Sequence, residues 1–412
     1  MPDIRFMVPV LLIGICLLAA SVSGLTINSA WKATSPAGQP MSGVTMSDDG
    51  SWVFVSSNTM GVSAQGNVLW GGYDGGSGVM SDDGSCVVTA SGTSIRMLDS
   101  SGSAVWSRSM GSPVTAVAVS PNASIVATAD SAGYLRTWGK NGESYGTILL
   151  EPAVAMGVVP SSDLVVLSTN MGMRGVSPGL SLVWSDNRTD IVESFIVIPP
   201  EGSVIYAAGG GTVTAYTQGG SVSWQKKVSS QSITDISSSG NGRVIAIGSG
   251  DGKVYILDST GTVKSAYSAG QAVNAVSVSR DGSRVAVASI DNQLVILNRD
   301  GSVAGSISTP ATIQQRSVAL NSGGSFVAAA DKINLYGYTI SPDPVLTTPT
   351  SRVKTTLMTA THVSTELPTS SVTVESTEVT DTETPAPTQS PLSVVPAIIA
   401  LGIFAIFLKR RN

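Results

Sequence analysis

Between residues 41 and 338 the chain repeats itself about every 40 residues, and a repeat of that length decides the architecture before any single residue does. Each copy opens on an apolar strand and a Ser/Asp/Gly turn. Examples are Ser47-Asp48-Asp49-Gly50, Ser81-Asp82-Asp83-Gly84, Ser239-Gly240-Asn241-Gly242 and Arg280-Asp281-Gly282. Taking these turns at positions 50, 84, 123, 163, 202, 242, 282 and 324 gives spacings of 34, 39, 40, 39, 40, 40 and 42 residues. The copies therefore number eight.

The copy from residue 273 to 307 is the clearest. Val276 and Val278 alternate with polar or small neighbours, Asp281-Gly282 turns the chain, and residues 284–289 return. Asp291-Asn292 and Asp300-Gly301 set off two further short strands. Period-two alternation bounded by Gly and Asp/Asn marks antiparallel strands joined by tight turns. No stretch between 41 and 340 holds a helical period over three turns. Four strands in about 40 residues predict an all-β, eight-bladed β-propeller, with seven blades as the alternative. Small residues suit the crowded axis, and Ala116, Ala118, Ala275, Ser277, Ala246, Ala286 and Ala288 fall in first and second strands. Trp31, Trp70, Trp106, Trp184 and Trp224 fall in outer strands and are expected to pack between blades.

The eighth copy supplies three strands before the chain becomes Thr/Pro-rich. Residues 27–32 before the first copy look like an unpaired outer strand. They are expected to close blade 8 and leave no open edge within the ring.

Either side of the propeller, assigned to residues 25–340, the composition changes. Residues 1–24 have an apolar stretch from Met7 to Ala20 and small residues at 22–24, as in a signal peptide. Residues 341–390 contain 22 Ser or Thr and 6 Pro, too little apolar surface to offset ordering entropy, and predict a disordered stalk. Extended at about 3 Å per residue, it spans roughly 150 Å. Residues 391–408 are mostly apolar, long enough as a helix to cross about 27 Å of hydrocarbon, and Lys409-Arg410-Arg411-Asn412 marks a cytoplasmic end. The expected topology is a single-pass membrane protein with the propeller outside. Asn122-Ala-Ser and Asn187-Arg-Thr are either N-glycosylation acceptors or chance tripeptides in a Ser-rich chain.

Several chemistries are disfavoured. A net charge of −5 without a basic stripe gives no footprint for nucleic acid. The single His, His362, lies in the stalk, which removes His-based triads and metal sites from the propeller. After leader cleavage Cys86 is the only cysteine, and its place in an apolar strand marks it as a buried small hydrophobe. The Ser-Asp-Asp-Gly turns lack the alternating oxygen ligands of a calcium loop. Carboxylate hydrolysis would require Asp48, Asp82, Asp130 and Asp235 to face a common channel.

Residues 252–263 and 95–106 resemble the repeat of quinoprotein-like (PQQ-like) propellers, which reads Gly-x-Val-Tyr-Ala-Leu-Asp, then Gly, then Trp. The Ser-x-Asp-Gly turns before Val/Ala strands also resemble WD-repeat-like propellers. The resemblance implies the fold and not the quinone chemistry, because quinoprotein dehydrogenases need adjacent cysteines and this chain has none. The Thr/Pro stalk, short apolar segment and basic end are similar to the tails of archaeal and bacterial surface proteins, and the whole to cell-envelope proteins of methanogenic archaea. The expected function is a binding or scaffold module for a protein or glycan partner, with no cofactor and no catalysis. A quinoprotein-like or carboxylate-dependent enzyme is the alternative.

Overall fold

The computed structural model describes residues 24–36, 38–72, 76–159, 164–189, 192–200 and 204–342. They form eight four-stranded antiparallel sheets arranged as the blades of a propeller. Blades 1 to 7 occupy residues 44–70, 77–109, 114–149, 153–186, 195–227, 233–268 and 273–308, each running from an inner strand to an outer one. Blade 8 is built from both ends of the ring. Strands Val318–Leu320, Phe326–Ala330 and Asn334–Pro342 are completed by Leu25–Thr34, which lies outermost. The pairing runs from Leu25 opposite Pro342 to Thr34 opposite Asn334, with one bulge between Ser29 and Trp31. The strand Asn334–Pro342 thus runs two residues past the boundary expected at 340. Eight sheets dispose of the seven-bladed alternative.

Apart from Gly24, Ser341 and Pro342, the leader, the stalk (341–390), the apolar segment (391–408) and the basic tail (409–412) lie outside the described residues. Among the described residues no helix is long and apolar enough to cross a membrane.

The core is not one cluster but eight, one at each boundary between neighbouring blades. This follows from the sheets' alternation. Both faces of each inner and middle strand are covered by the adjacent blades, so strands such as Ile125–Asp130 and Leu164–Thr169 are buried along their whole length. The outer strands are the exposed ones, alternating in Val263–Ser268 and open at all but Trp106 in Ala104–Ser109. Cys86 is 2% exposed within the boundary between blades 2 and 3, where burial pushes its thiol up to about 11.

The first turns of four blades are fixed by the same local chemistry. In blades 1, 2, 6 and 7 the Ser hydroxyl donates to the Asp or Asn two residues on, at 2.7, 2.7, 2.9 and 2.6 Å. The same carboxylate or amide oxygen accepts the backbone N–H two residues further. These Asp side chains are spent on turn bonds, as the missing calcium-loop alternation implied.

Candidate functional site

The two faces of the ring differ. One face carries the first-to-second strand turns, here the anchor rim. The other carries the second-to-third strand turns and the connections between blades, here the crossover rim.

A cavity of about 40 Å³ lies among Thr45, Asp82, Ser237, Ser277 and Leu320. At about 10–15 Å³ per water centre this holds only a few waters. Arginines lie across both ends of the axis. On the anchor rim Arg280 of blade 7 reaches Asp48 of blade 1 at 2.6 Å, passing blade 8. At the opposite end Arg316, just before blade 8, lies 4.1 Å from the centroid of the Phe195 ring in blade 5. Arg316 has a φ of +54°, in the left-handed region. Its carbonyl accepts Val44 N–H and its own N–H donates to Asn274.

The four carboxylates that a hydrolase would need do not converge. Of them only Asp82 lines the cavity. Asp48 is held by Arg280, although burial still raises its carboxyl above the usual range. Asp130 sits toward the crossover rim, bonded to Arg136 at 2.8 Å and accepting the N–H groups of Ala132 and Tyr134. Asp235 is enclosed in the inner strand of blade 6, where its two oxygens accept Ile236 N–H at 3.0 Å and Val276 N–H of blade 7 at 2.9 Å. Among the described residues no three His, Cys, Asp or Glu side chains gather as a metal site.

Asp235 has a consequence for pH. Burial pushes its carboxyl up to about 7, against the pull of the two backbone donors and the charge of Arg316. The folded value lies above the unfolded value of 3.8. The folded state therefore holds the proton more tightly, and stability from this group falls as pH rises from about 4 to 7. Relative to Asp235→Asn, the wild type should lose on the order of 1.4 kcal/mol per pH unit in that window. Denaturant melts of both proteins at pH 4, 5.5 and 7 measure it. A difference that stays constant across the three would contradict the neutral buried acid.

The crossover rim carries polar networks and a few exposed apolar residues on its turns, apart from the exposed apolar residues of the outer strands. In blade 6 a relay runs from Ser249 Oγ to Ser229 Oγ (2.8 Å) and from Ser229 Oγ to Asp251 (2.8 Å). Asp251 also accepts Tyr255 Oη (2.6 Å). Blade 8 repeats the theme with Asp331, Asn334 and Tyr336, whose hydroxyl donates to Asp331 at 2.7 Å. Inside blade 3 the buried Trp138 indole donates to Thr128 at 3.1 Å, below the rim. Between blades 4 and 5 Asp186 binds Arg188 through both oxygens and accepts Tyr216 Oη at 3.0 Å. The Arg188 guanidinium holds the Asp186 carboxyl below its usual range. Met171, Val192, Ile290 and Ile333 stand on turns or connections of this rim, 40 to 49% exposed. A cup of about 420 Å³ opens here, lined by Lys227, Ser229, Asp251, Lys253 and Tyr255.

The outer-strand tryptophans form a repeated latch. The indoles of Trp31, Trp70, Trp106, Trp184 and Trp224 donate to Ala64, Ser100, Lys140, Gln218 and Ser259, each a carbonyl in the next blade's third-to-fourth turn. Asn122 is exposed on the first turn of blade 3, its side chain accepting Ser124 N–H, and Asn187 is exposed in the connection after blade 4. Sequence reading missed Trp52, whose indole donates to Gly84 of blade 2, and Tyr206, whose hydroxyl donates to Gly242 of blade 6. Both are second-strand residues that reach the next blade's anchor turn. A large aromatic at the second-strand position before a Gly anchor was the available signal.

Residues 191–304 match a family described as beta-propeller protein. No curated protein matches the chain. Among solved structures the chain is similar to the C-terminal WD40 domain of Sif2, at 16% identity and a TM-score of 0.63, covering 76% of this chain and 98% of that one. It is also similar to the β-propeller domain of Cps50 (Swd1) from Myceliophteria thermophila, at 14% identity and a TM-score of 0.51, covering 65% and 97%. At these identities the likeness concerns the fold.

Proposed function

We propose that this protein is a non-enzymatic interaction module, displayed outside a membrane and binding a protein partner through its crossover rim. One observation carries the reading: the cavity found at the axis is only about 40 Å³, while the crossover rim presents exposed Met171, Val192, Ile290 and Ile333 on its turns and connections. Exposed apolar side chains on rim turns, in a frame this rigid, are what a partner-binding face needs. The likeness in fold to a WD40 domain supports a scaffold role of this kind. The membrane placement rests on the apolar segment 391–408 and the basic residues that follow it.

Ile290→Cys tests both halves. Cys86 is buried and its thiol pushed up to about 11, so it stays unreactive and the new thiol is the label site on the propeller. In intact cells a membrane-impermeant thiol crosslinker should attach Ile290→Cys to one discrete partner. Val303→Cys, on the outer strand of blade 7, should be labelled without joining that partner. Labelling only after lysis would overturn the placement, and equal crosslinking from both positions would overturn the rim.

A further inference from the structure

The cup between blades 5 and 6 carries positive charge that the fold leaves unneutralised. Lys227 ends the outer strand of blade 5 and Lys253 begins the third strand of blade 6. Both are exposed, both line the cup, and neither forms an ion pair among the described residues. The cup's own carboxylate does not serve them. Asp251 accepts Ser229 Oγ and Tyr255 Oη on one oxygen, and Lys253 N–H at 3.0 Å on the other. Partial burial pushes its carboxyl up, but the Tyr255 and Ser229 donors outweigh that and hold it below the usual range. Asp251 is therefore ionised and occupied. Two ammonium groups against one engaged carboxylate leave a net positive cup on a chain of net charge −5.

The neighbouring surface is low and partly apolar. Gly209, Gly210 and Gly211 form the second-to-third turn of blade 5. A Cβ on Gly209 would meet Val192 O at 2.1 Å, and one on Gly211 would meet Ser229 O at 2.1 Å. Gly210, with φ at +54°, has nothing within 4 Å of its would-be Cβ. This bare backbone step joins the cup to Val192, which is 40% exposed.

We propose that the cup binds the carboxylate of an Asp or Glu on an otherwise apolar segment of a protein partner. Lys227 and Lys253 take the carboxylate, and the glycine step and Val192 take its apolar neighbours. Charge complementarity selects the anion. The state of the other polar groups selects a protein over an acidic sugar. Ser229 already bonds Ser249, Gln231 and Asp251, and Tyr255 gives its proton to Asp251, which leaves Ser230 Oγ and the Tyr255 lone pairs for a sugar's many hydroxyls, fewer partners than a sugar calls for.

This inference rests on the rim reading above, and the experiment separates the two. The probe is a fluorescein-labelled peptide with one Glu among Leu and Ala, titrated by anisotropy into the purified protein at two salt concentrations. Binding should weaken with salt, and Lys227→Gln with Lys253→Gln should weaken it about tenfold, the loss of two solvent-exposed ion pairs. A peptide with Gln in place of Glu should bind no better to the wild type than the Glu peptide binds to the double variant. Equal binding of the Glu peptide to wild type and double variant would overturn the cup, and so would tighter binding of polygalacturonate than of the peptide. If the cup fails while the Ile290→Cys crosslink persists, only the cup is wrong. Loss of both removes the rim reading as well.

Discussion

Removing residues 25–34 is expected to abolish the monodisperse folded protein rather than merely lower its melting point. That strand is the whole outer edge of blade 8, registered against Asn334–Pro342 along its length. Its side chains serve two boundaries at once. Leu25 and Ile27 pack into the cluster between blades 7 and 8, and Trp31 and Ala33 into the one between blades 8 and 1. Fully burying a large apolar side chain is worth about 1.5–3 kcal/mol. Leu25, Ile27 and Trp31 are half-buried and Ala33 is small, so together they contribute a few kcal/mol, still a large share of the roughly 5–15 kcal/mol by which a domain is stable at all. The deletion also exposes the strand Asn334–Pro342 as an unpaired edge, a template for pairing with another chain. Size-exclusion profiles should shift to aggregate, and a synthetic peptide of residues 25–34 added during refolding should restore the monomer. An unshifted, fully folded deletion variant would show that the ring closes without the clasp.

That closure was legible in the sequence because it is a counting argument. Eight anchor turns and a three-stranded last copy leave one strand missing, and the segment carrying Trp31 has the pattern to supply it. Contacts that depend on the closed ring were not legible. Arg280 and Asp48 are 232 residues apart and meet only because blades 7 and 1 flank blade 8. Arg316 and Phe195 face each other across the axis for the same reason. Neither pair carries a local motif. The four aspartates looked equivalent as residue types, yet turn position, strand depth and a nearby Arg send them to separate places. The crossover rim was only half visible. Its turn residues announce themselves, but which of them stand exposed depends on the neighbouring blade.

Between blades 3 and 4 the outer-strand latch is inverted, and the comparison sets up the second large effect. At the five tryptophan latches the indole lies on a glycine of the next blade's turn. At Gly102, with φ at +80°, a Cβ would sit 2.4 Å from Trp70 Cγ. Between blades 3 and 4 the bulk changes sides. The turn carries Leu180 at φ +66°, and the outer strand offers Gly146, whose would-be Cβ lies 2.9 Å from Leu180 Cδ1. One large and one absent side chain fill each of these boundaries, whichever blade supplies which. Trp70→Ala empties its side of the latch, and such a truncation should cost about 3–5 kcal/mol. Gly102→Ala leaves the indole in place and collides with it. It adds about 1–2 kcal/mol for a left-handed non-glycine and a further 1–3 kcal/mol for overpacking. The double variant separates the two causes. With the indole gone the collision disappears and only the backbone cost remains, so the combined loss should fall short of the sum by at least about 1 kcal/mol. Denaturant melts of the four proteins give that coupling directly. A strictly additive cycle would mean that the indole does not rest on Gly102, and that the outer-strand tryptophans hold the ring by area alone.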